Sequence, residues 1–119
     1  MIKQVILVGI GGAAGSILRF LTSEITTRYY GMTFPLATFI VNIVGCFCIG
    51  LFVNIIPVHN NLRFLLIAGF CGGFTTFSTF ARETFDLIEI NQLPHAIVYT
   101  VLSCVVGVCA VWLGMYITK

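Results

Sequence analysis

Charge is what this sequence has least of. Among 119 residues there are four acids and six Lys and Arg, so charged residues make up 8% against a hydrophobic share of 59%. A soluble domain carries about 25% charged residues. With a mean hydropathy of +1.07, the chain reads as an integral membrane protein. The acids Glu24, Glu83, Asp86 and Glu89 fall toward the ends of apolar runs, never in the middle of one. An embedded Asp or Glu is the usual mark of a cation or proton-coupled path, so its absence turns the reading toward an anion. No nucleophile–base pair and no paired carboxylates lie within the apolar segments, which excludes the common catalytic arrangements. The chain is read as not an enzyme. No C-x-x-C occurs, and Cys46, Cys48, Cys71, Cys104 and Cys109 all read as small buried hydrophobes rather than metal ligands. At net charge +2 there is no basic run for nucleic acid.

Four apolar runs remain once these classes are set aside. A spanning helix needs roughly 20 apolar residues, and the runs at 5–21, 34–56, 62–88 and 94–117 fill the chain as one four-helix transmembrane domain. No small-residue cleavage site follows the first run, which reads as a retained span. That run carries Gly11 and Gly15, a small-xxx-small pair that lets a neighbouring helix approach closely. Arg19 near its end either snorkels to the interface or marks the mouth of an anion path. Residues 22–33 read as the first loop. In the second run Asn42 is a mid-span carboxamide that needs partners; it either bonds another helix or offers N–H donors to a permeating anion. In the fourth, Tyr99 and Ser103 are four apart and Gly107 continues their stripe along one helical face. Arg82-Glu83 and Asp86 read as a solvated helix end, with Arg82 and Asp86 at pairing distance i, i+4.

The most informative stretch is Gly69 to Phe80, G-F-C-G-G-F-T-T-F-S-T-F. Glycine costs about 1 kcal/mol relative to alanine in a helix, so Gly72-Gly73 before Thr75-Thr76 makes a poor continuous helix. In a bilayer, backbone leaves the helical path only where protein buries it or where it lines a wet cavity. A broken third helix with hydroxyls and rings at the break is therefore a site hypothesis. Phe77 and Phe80 are i, i+3 and lie near one face. A phenyl ring has a positive edge, which suits a small anion that has shed part of its water; lipid-facing or core packing is the bland reading of the same pair.

Cations flank the spans evenly. Lys3, Arg63 and Lys119 fall on one side of a four-span chain and Arg19, Arg28 and Arg82 on the other, so the positive-inside rule gives no orientation. A chain without that bias inserts both ways and can pair with its inverted copy, an antiparallel homodimer.

The segments G-G-A-A-G-S-I-L-R-F (11–20), T-F-I-V-N-I-V-G (38–45) and the 69–80 stretch resemble those of the bacterial fluoride-specific ion channels, the Fluc or CrcB family, over essentially the whole length. The resemblance implies a dual-topology homodimer in the bacterial inner membrane, with two pores that export fluoride passively. By that likeness Asn42, Phe77 and Phe80 would line the pore, and Ser78 and Thr79 would supply hydroxyls beside them. Tyr99 and Ser103 would form a polar track, and Arg19 would lie toward the vestibule. Gly72 and Thr75 would turn backbone carbonyls to a structural sodium ion at the dimer centre. Two departures from the pattern are Ala37, often glycine in the family, and Gly107, where some members carry serine. The alternative is a small multidrug-resistance-type proton-coupled exporter, but it calls for a glutamate in the middle of the first span that this chain lacks.

Overall fold

The computed structural model describes residues 1–31 and 34–119; Met32 and Thr33, the expected end of the first loop, lie outside them. Everything described is helix, turn or cap. Helix α1 is Ile2–Tyr29 and α2 is Leu36–Ile55. The third span starts as a π-helical segment, Arg63–Cys71, runs into the short turn α3, Gly72–Phe74, and resumes as α4, Phe77–Glu89. Helix α5 is Leu93–Ile117. Among the described residues four helical spans are long and apolar enough to cross a membrane, and the longest axis of the molecule, 48 Å, exceeds a hydrocarbon core of about 30 Å.

Seven of the eight span ends fall within three residues of expectation and one does not. Pro35 precedes α2 and Pro94 sits in the first turn of α5, where a missing N–H breaks no helical bond. Asn91, at φ 61°, occupies the left-handed region that asparagine tolerates and closes the turn after α4. The first helix, however, runs about two turns past the expected end, through Thr22 to Tyr29. Polarity suggested a loop there, but no helix breaker occurs before Gly31, and Thr22 folds its hydroxyl back onto the Leu18 carbonyl at 2.8 Å. The polar residues of 22–29 decorate a helix that continues beyond the apolar stretch.

Packing follows two glycine seams. Helix α1 lies on the π-helical segment and α3, and α2 lies on α5. Gly11 and Gly15 are buried against that partner, and a Cβ on either would collide with backbone: Leu65 O at Gly11, Phe70 O and Phe74 N at Gly15. Gly12, next in sequence, has only Gly69 O near it, at 3.8 Å. On the other seam a Cβ at Gly50 would collide with the Val111 carbonyl, and one at Gly114 would stand 2.5 Å from Phe47 O. These contacts hold the α1 and α2 backbones against their partners, so the third span is fixed in depth beside Asn42 and Arg19. Tyr99 and Val41 are the largest fully buried side chains. Leu87, Ala96 and Tyr99 form a small core, with Phe34, Phe39 and Phe80 packed against it. Most remaining large apolar side chains are exposed, as a lipid-facing surface requires.

Candidate functional site

The helical path of the third span stops at Thr75 and Thr76. Their dihedrals, φ −84°, ψ 159° and φ −149°, ψ 122°, are both extended. A helix end leaves carbonyls without intrahelical partners, and a new helix start leaves N–H groups likewise. Side chains take up several of them. Thr75 donates both its N–H and its hydroxyl to the Cys71 carbonyl, at 3.0 and 2.8 Å. The Thr76 hydroxyl accepts from the Thr79 N–H at 3.3 Å, a threonine N-cap for α4. Asn42, from α2, deals with the extended residue itself: Oδ1 accepts the Thr76 N–H at 2.8 Å, and Nδ2 donates to the Thr76 carbonyl at 3.1 Å. One carboxamide thus satisfies both main-chain groups of Thr76, as a neighbouring strand would. Arg19, from α1, donates Nε–H to the Gly73 carbonyl at 3.0 Å, placing a cation at the C-terminal end of a helix, where the dipole favours it.

Asn42→Ala strands both polar groups of Thr76. Each unpartnered buried group costs about 1–3 kcal/mol, so a loss of roughly 2 kcal/mol is expected in detergent thermal melts. Asn42→Asp keeps the acceptor for the Thr76 N–H but faces the Thr76 carbonyl with an oxygen, and should be no better than alanine.

The carbonyls at the interruption that carry no hydrogen bond among the described residues include those of Gly72 and Thr75. Hard cations take oxygen ligands, backbone carbonyls included. No cluster of three His, Cys, Asp or Glu side chains able to hold a metal occurs among the described residues. Unpartnered backbone oxygens of this kind are the donor chemistry that a hard cation such as sodium takes.

Beside the interruption runs an open groove of about 590 Å³ whose lining includes Asn42, Gly72, Thr75, Thr76, Phe77, Phe80 and Ser103. Six of the residues singled out from the sequence therefore border one space. Phe77 projects into the open, 78% exposed. Phe80 sits between Phe77 and Tyr99, with centroid distances of 5.8 and 4.9 Å. The Ser103 hydroxyl is a buried polar atom without a hydrogen-bond partner, and Ser103 is among the residues that border this groove. Gly45, one turn past Asn42, leaves the room that the Thr75 methyl fills; a Cβ there would overlap it.

The other candidates lie elsewhere. Ser78 is exposed beside the Thr76 hydroxyl, 3.5 Å away. Tyr99 shares a helix face with Ser103 but is wholly buried behind Phe80, and its hydroxyl donates to Glu83 Oε1 at 3.2 Å. Arg19 faces α3 on the side of α1. Glu83 requires a correction. It was read as part of a solvated helix end, and Arg82 with Asp86 fits that reading as an exposed pair at 3.2 Å. Glu83 instead is half-buried and borders a second cavity, about 520 Å³, with Ser23, Thr26, Thr27, Tyr30 and Asp86. The signal was present: Glu83 follows Phe80 by three residues, so the two lie toward one face of α4. Gly107 has only Cys46 Sγ and Ile43 Cδ1 near it, at 3.5 and 3.9 Å, so a serine at this position would have space.

Compared with known proteins, residues 6–115 match the family described as CrcB-like protein, Camphor Resistance (CrcB). The chain belongs to this family. Among CrcB-like relatives, a protein of Flavobacterium psychrophilum named fluoride-specific ion channel FluC is 43% identical over 121 residues, 98% of each chain. FluC proteins of Azobacteroides pseudotrichonymphae and Phocaeicola vulgatus are 42% and 39% identical. The first alignment covers 100% of this chain and 98% of the relative, the second 98% and 99%. These full-length matches put the groove, the interruption and both glycine seams within the shared region of this CrcB-like chain.

Proposed function

We propose that this protein is a fluoride-specific ion channel that lets fluoride leave the cell passively through a multi-pass membrane domain. The observation that carries the reading is the groove at the Thr75–Thr76 interruption. It brings Phe77, Phe80, Asn42 and Ser103, whose hydroxyl is unpartnered, to the border of one space, with no acid among its lining residues. A desolvated fluoride needs positive ring edges and N–H or O–H donors, and this lining supplies them. Asn42 has a second N–H beyond the one spent on Thr76, so it can tie down the interruption and still face the ion. Ser78 and Thr79 at the start of α4 add hydroxyls, and Tyr99 extends the polar track from Ser103 behind Phe80. Arg19 belongs to the vestibule side.

A single protomer leaves the groove open, so the working unit is an antiparallel homodimer in which each copy closes the other's groove, giving two pores. The equal cation count on both sides supports insertion in either orientation. Gly72 and Thr75 of both copies would hold a shared sodium ion, which when bound neutralises carbonyl dipoles and joins the two interrupted helices. The setting is a bacterial inner membrane.

Reconstituted protein is expected to release fluoride, but not chloride, from liposomes once a potassium ionophore dissipates the opposing potential. No fluoride release from monodisperse protein would overturn the reading. Cysteine placed at Lys3 in a cysteine-free background should be labelled by impermeant reagent from both faces of the membrane; labelling from one face alone would exclude the inverted dimer.

A further inference from the structure

Arg19 touches the interruption without lining the groove. Its Nε–H meets the Gly73 carbonyl at 3.0 Å, and the residue is half-buried between α1 and α3. Gly73 faces α1 and Gly72 does not. A Cβ on Gly73 would stand 2.6 Å from the Gly12 carbonyl, whereas one on Gly72 finds only Ile67 O, at 4.0 Å. The carbonyls at the interruption are thereby divided. Cys71 O is taken by Thr75, Gly73 O by Arg19 and Thr76 O by Asn42. Among those left without a donor, the carbonyls of Gly72 and Thr75 belong to residues that line the groove, and that of Phe74 does not.

We infer that Arg19 is a positioning residue for the cation site: its Nε–H pins the Gly73 carbonyl toward α1 and so fixes the end of the half-helix whose Gly72 and Thr75 carbonyls receive the ion. The inference rests on the sodium reading above. Without that bond a buried helix end would carry one more free carbonyl on a hinge of two glycines, and the half-helix would spend part of its time frayed. Positioning works here against charge. A guanidinium near a cation site repels the cation, so simple electrostatics predicts tighter sodium binding when Arg19 is neutralised, whereas positioning predicts weaker binding when the N–H donor is lost.

Two near-isosteric variants separate these effects. Arg19→Gln keeps an N–H at the place of Nε and loses the charge; Arg19→Met loses both. The readout is the sodium concentration that gives half-maximal thermal stabilisation of the purified dimer, with N-methylglucamine replacing sodium at constant ionic strength. A hydrogen bond to a charged donor is worth enough to move this midpoint about tenfold. Arg19→Met is expected to raise it by that factor, and Arg19→Gln to stay within about twofold of the parent. An unmoved or lowered midpoint in Arg19→Met overturns the inference. If Arg19→Met does not yield folded dimer, Arg19→Gln decides alone: a tenfold rise there means that charge, not the donor, is what matters, and overturns it equally. A parent protein whose melting ignores sodium removes the sodium reading and the role of Arg19 with it, whereas a sodium-dependent parent with an unshifted Arg19→Met removes only the latter.

Discussion

Phe80→Ile is expected to lower fluoride flux between ten- and a hundredfold while leaving chloride excluded. The magnitude follows from what the ring supplies. A contact between an ion and a polar partner inside a protein is worth about 1.5–3 kcal/mol, and about 1.4 kcal/mol corresponds to a factor of ten. Isoleucine fills much of the same volume but has no positive edge to offer. The position of the ring makes the effect specific. Phe80 is held at 4.9 Å from Tyr99 and 5.8 Å from Phe77, so its orientation toward the groove is set by neighbours on both sides. Phe77→Ile should lower flux in the same sense, and since Phe77 is largely exposed in the protomer, with little effect on its fold. Phe70→Ile is the control. That ring belongs to the same stretch but stacks on Phe74, at 5.6 Å and 8° between planes, and does not border the groove; flux should stay within about twofold. Liposome efflux with a fluoride electrode measures all three. Equal flux in the parent, Phe77→Ile and Phe80→Ile would leave the ring-edge mechanism without support.

Much of the architecture is legible in the residues because lipid leaves few choices. A segment of about 20 apolar residues in a chain with 8% charge has little option but to span, and the helices obtained lie within a few residues of three of the four expected runs. Composition was also a fair guide to where the third span departs from helix, since Gly72-Gly73 and Thr75-Thr76 supply both the weakness and the hydroxyls. It was a poor guide to helix ends outside the apolar core. Thr22 to Tyr29 look like loop by polarity, yet nothing there breaks a helix. Long-range pairing was less legible still. That Asn42 needs a partner can be argued from burial, but that the partner is the main chain of Thr76, 34 residues on, depends on the depth at which α2 sits beside the third span. Arg19 on Gly73, 54 residues on, is of the same kind. The π-helical segment Arg63–Cys71 has no signature at all in its residue types. Glu83 was misjudged for a related reason. Its neighbours Arg82 and Asp86 are a solvated pair, and adjacency in sequence suggested a shared environment that helical rotation denies.

Depth, then, is set by the glycine seams, and Gly15→Ala tests that dependence with one of the largest stability effects expected in the molecule. A Cβ at Gly15 meets only main chain: the Phe70 carbonyl, Phe74 N at 2.7 Å and Gly73 C at 3.2 Å. No rotamer change relieves such contacts, so the third span must move off α1. Overpacking a protein interior costs about 1–3 kcal/mol where side chains can adjust; against backbone alone, about 3 kcal/mol or more is expected. The displacement has a second consequence, because Arg19 lies one turn beyond Gly15 on α1 and reaches Gly73 across the same seam. Separating the helices breaks that hydrogen bond and loosens the end of the half-helix, so any Gly15→Ala protein that survives purification should also show weakened sodium stabilisation. Gly12→Ala supplies the contrast from within the same motif. Its Cβ would have only Gly69 O near it, at 3.8 Å, and melting should shift by no more than about 0.5 kcal/mol equivalent. Thermal melts of the two variants in one detergent measure the difference. Similar melting for both would mean that α1 and the third span are not in backbone contact, and the depth at which Arg19 meets Gly73 would then have to be set by something other than this seam.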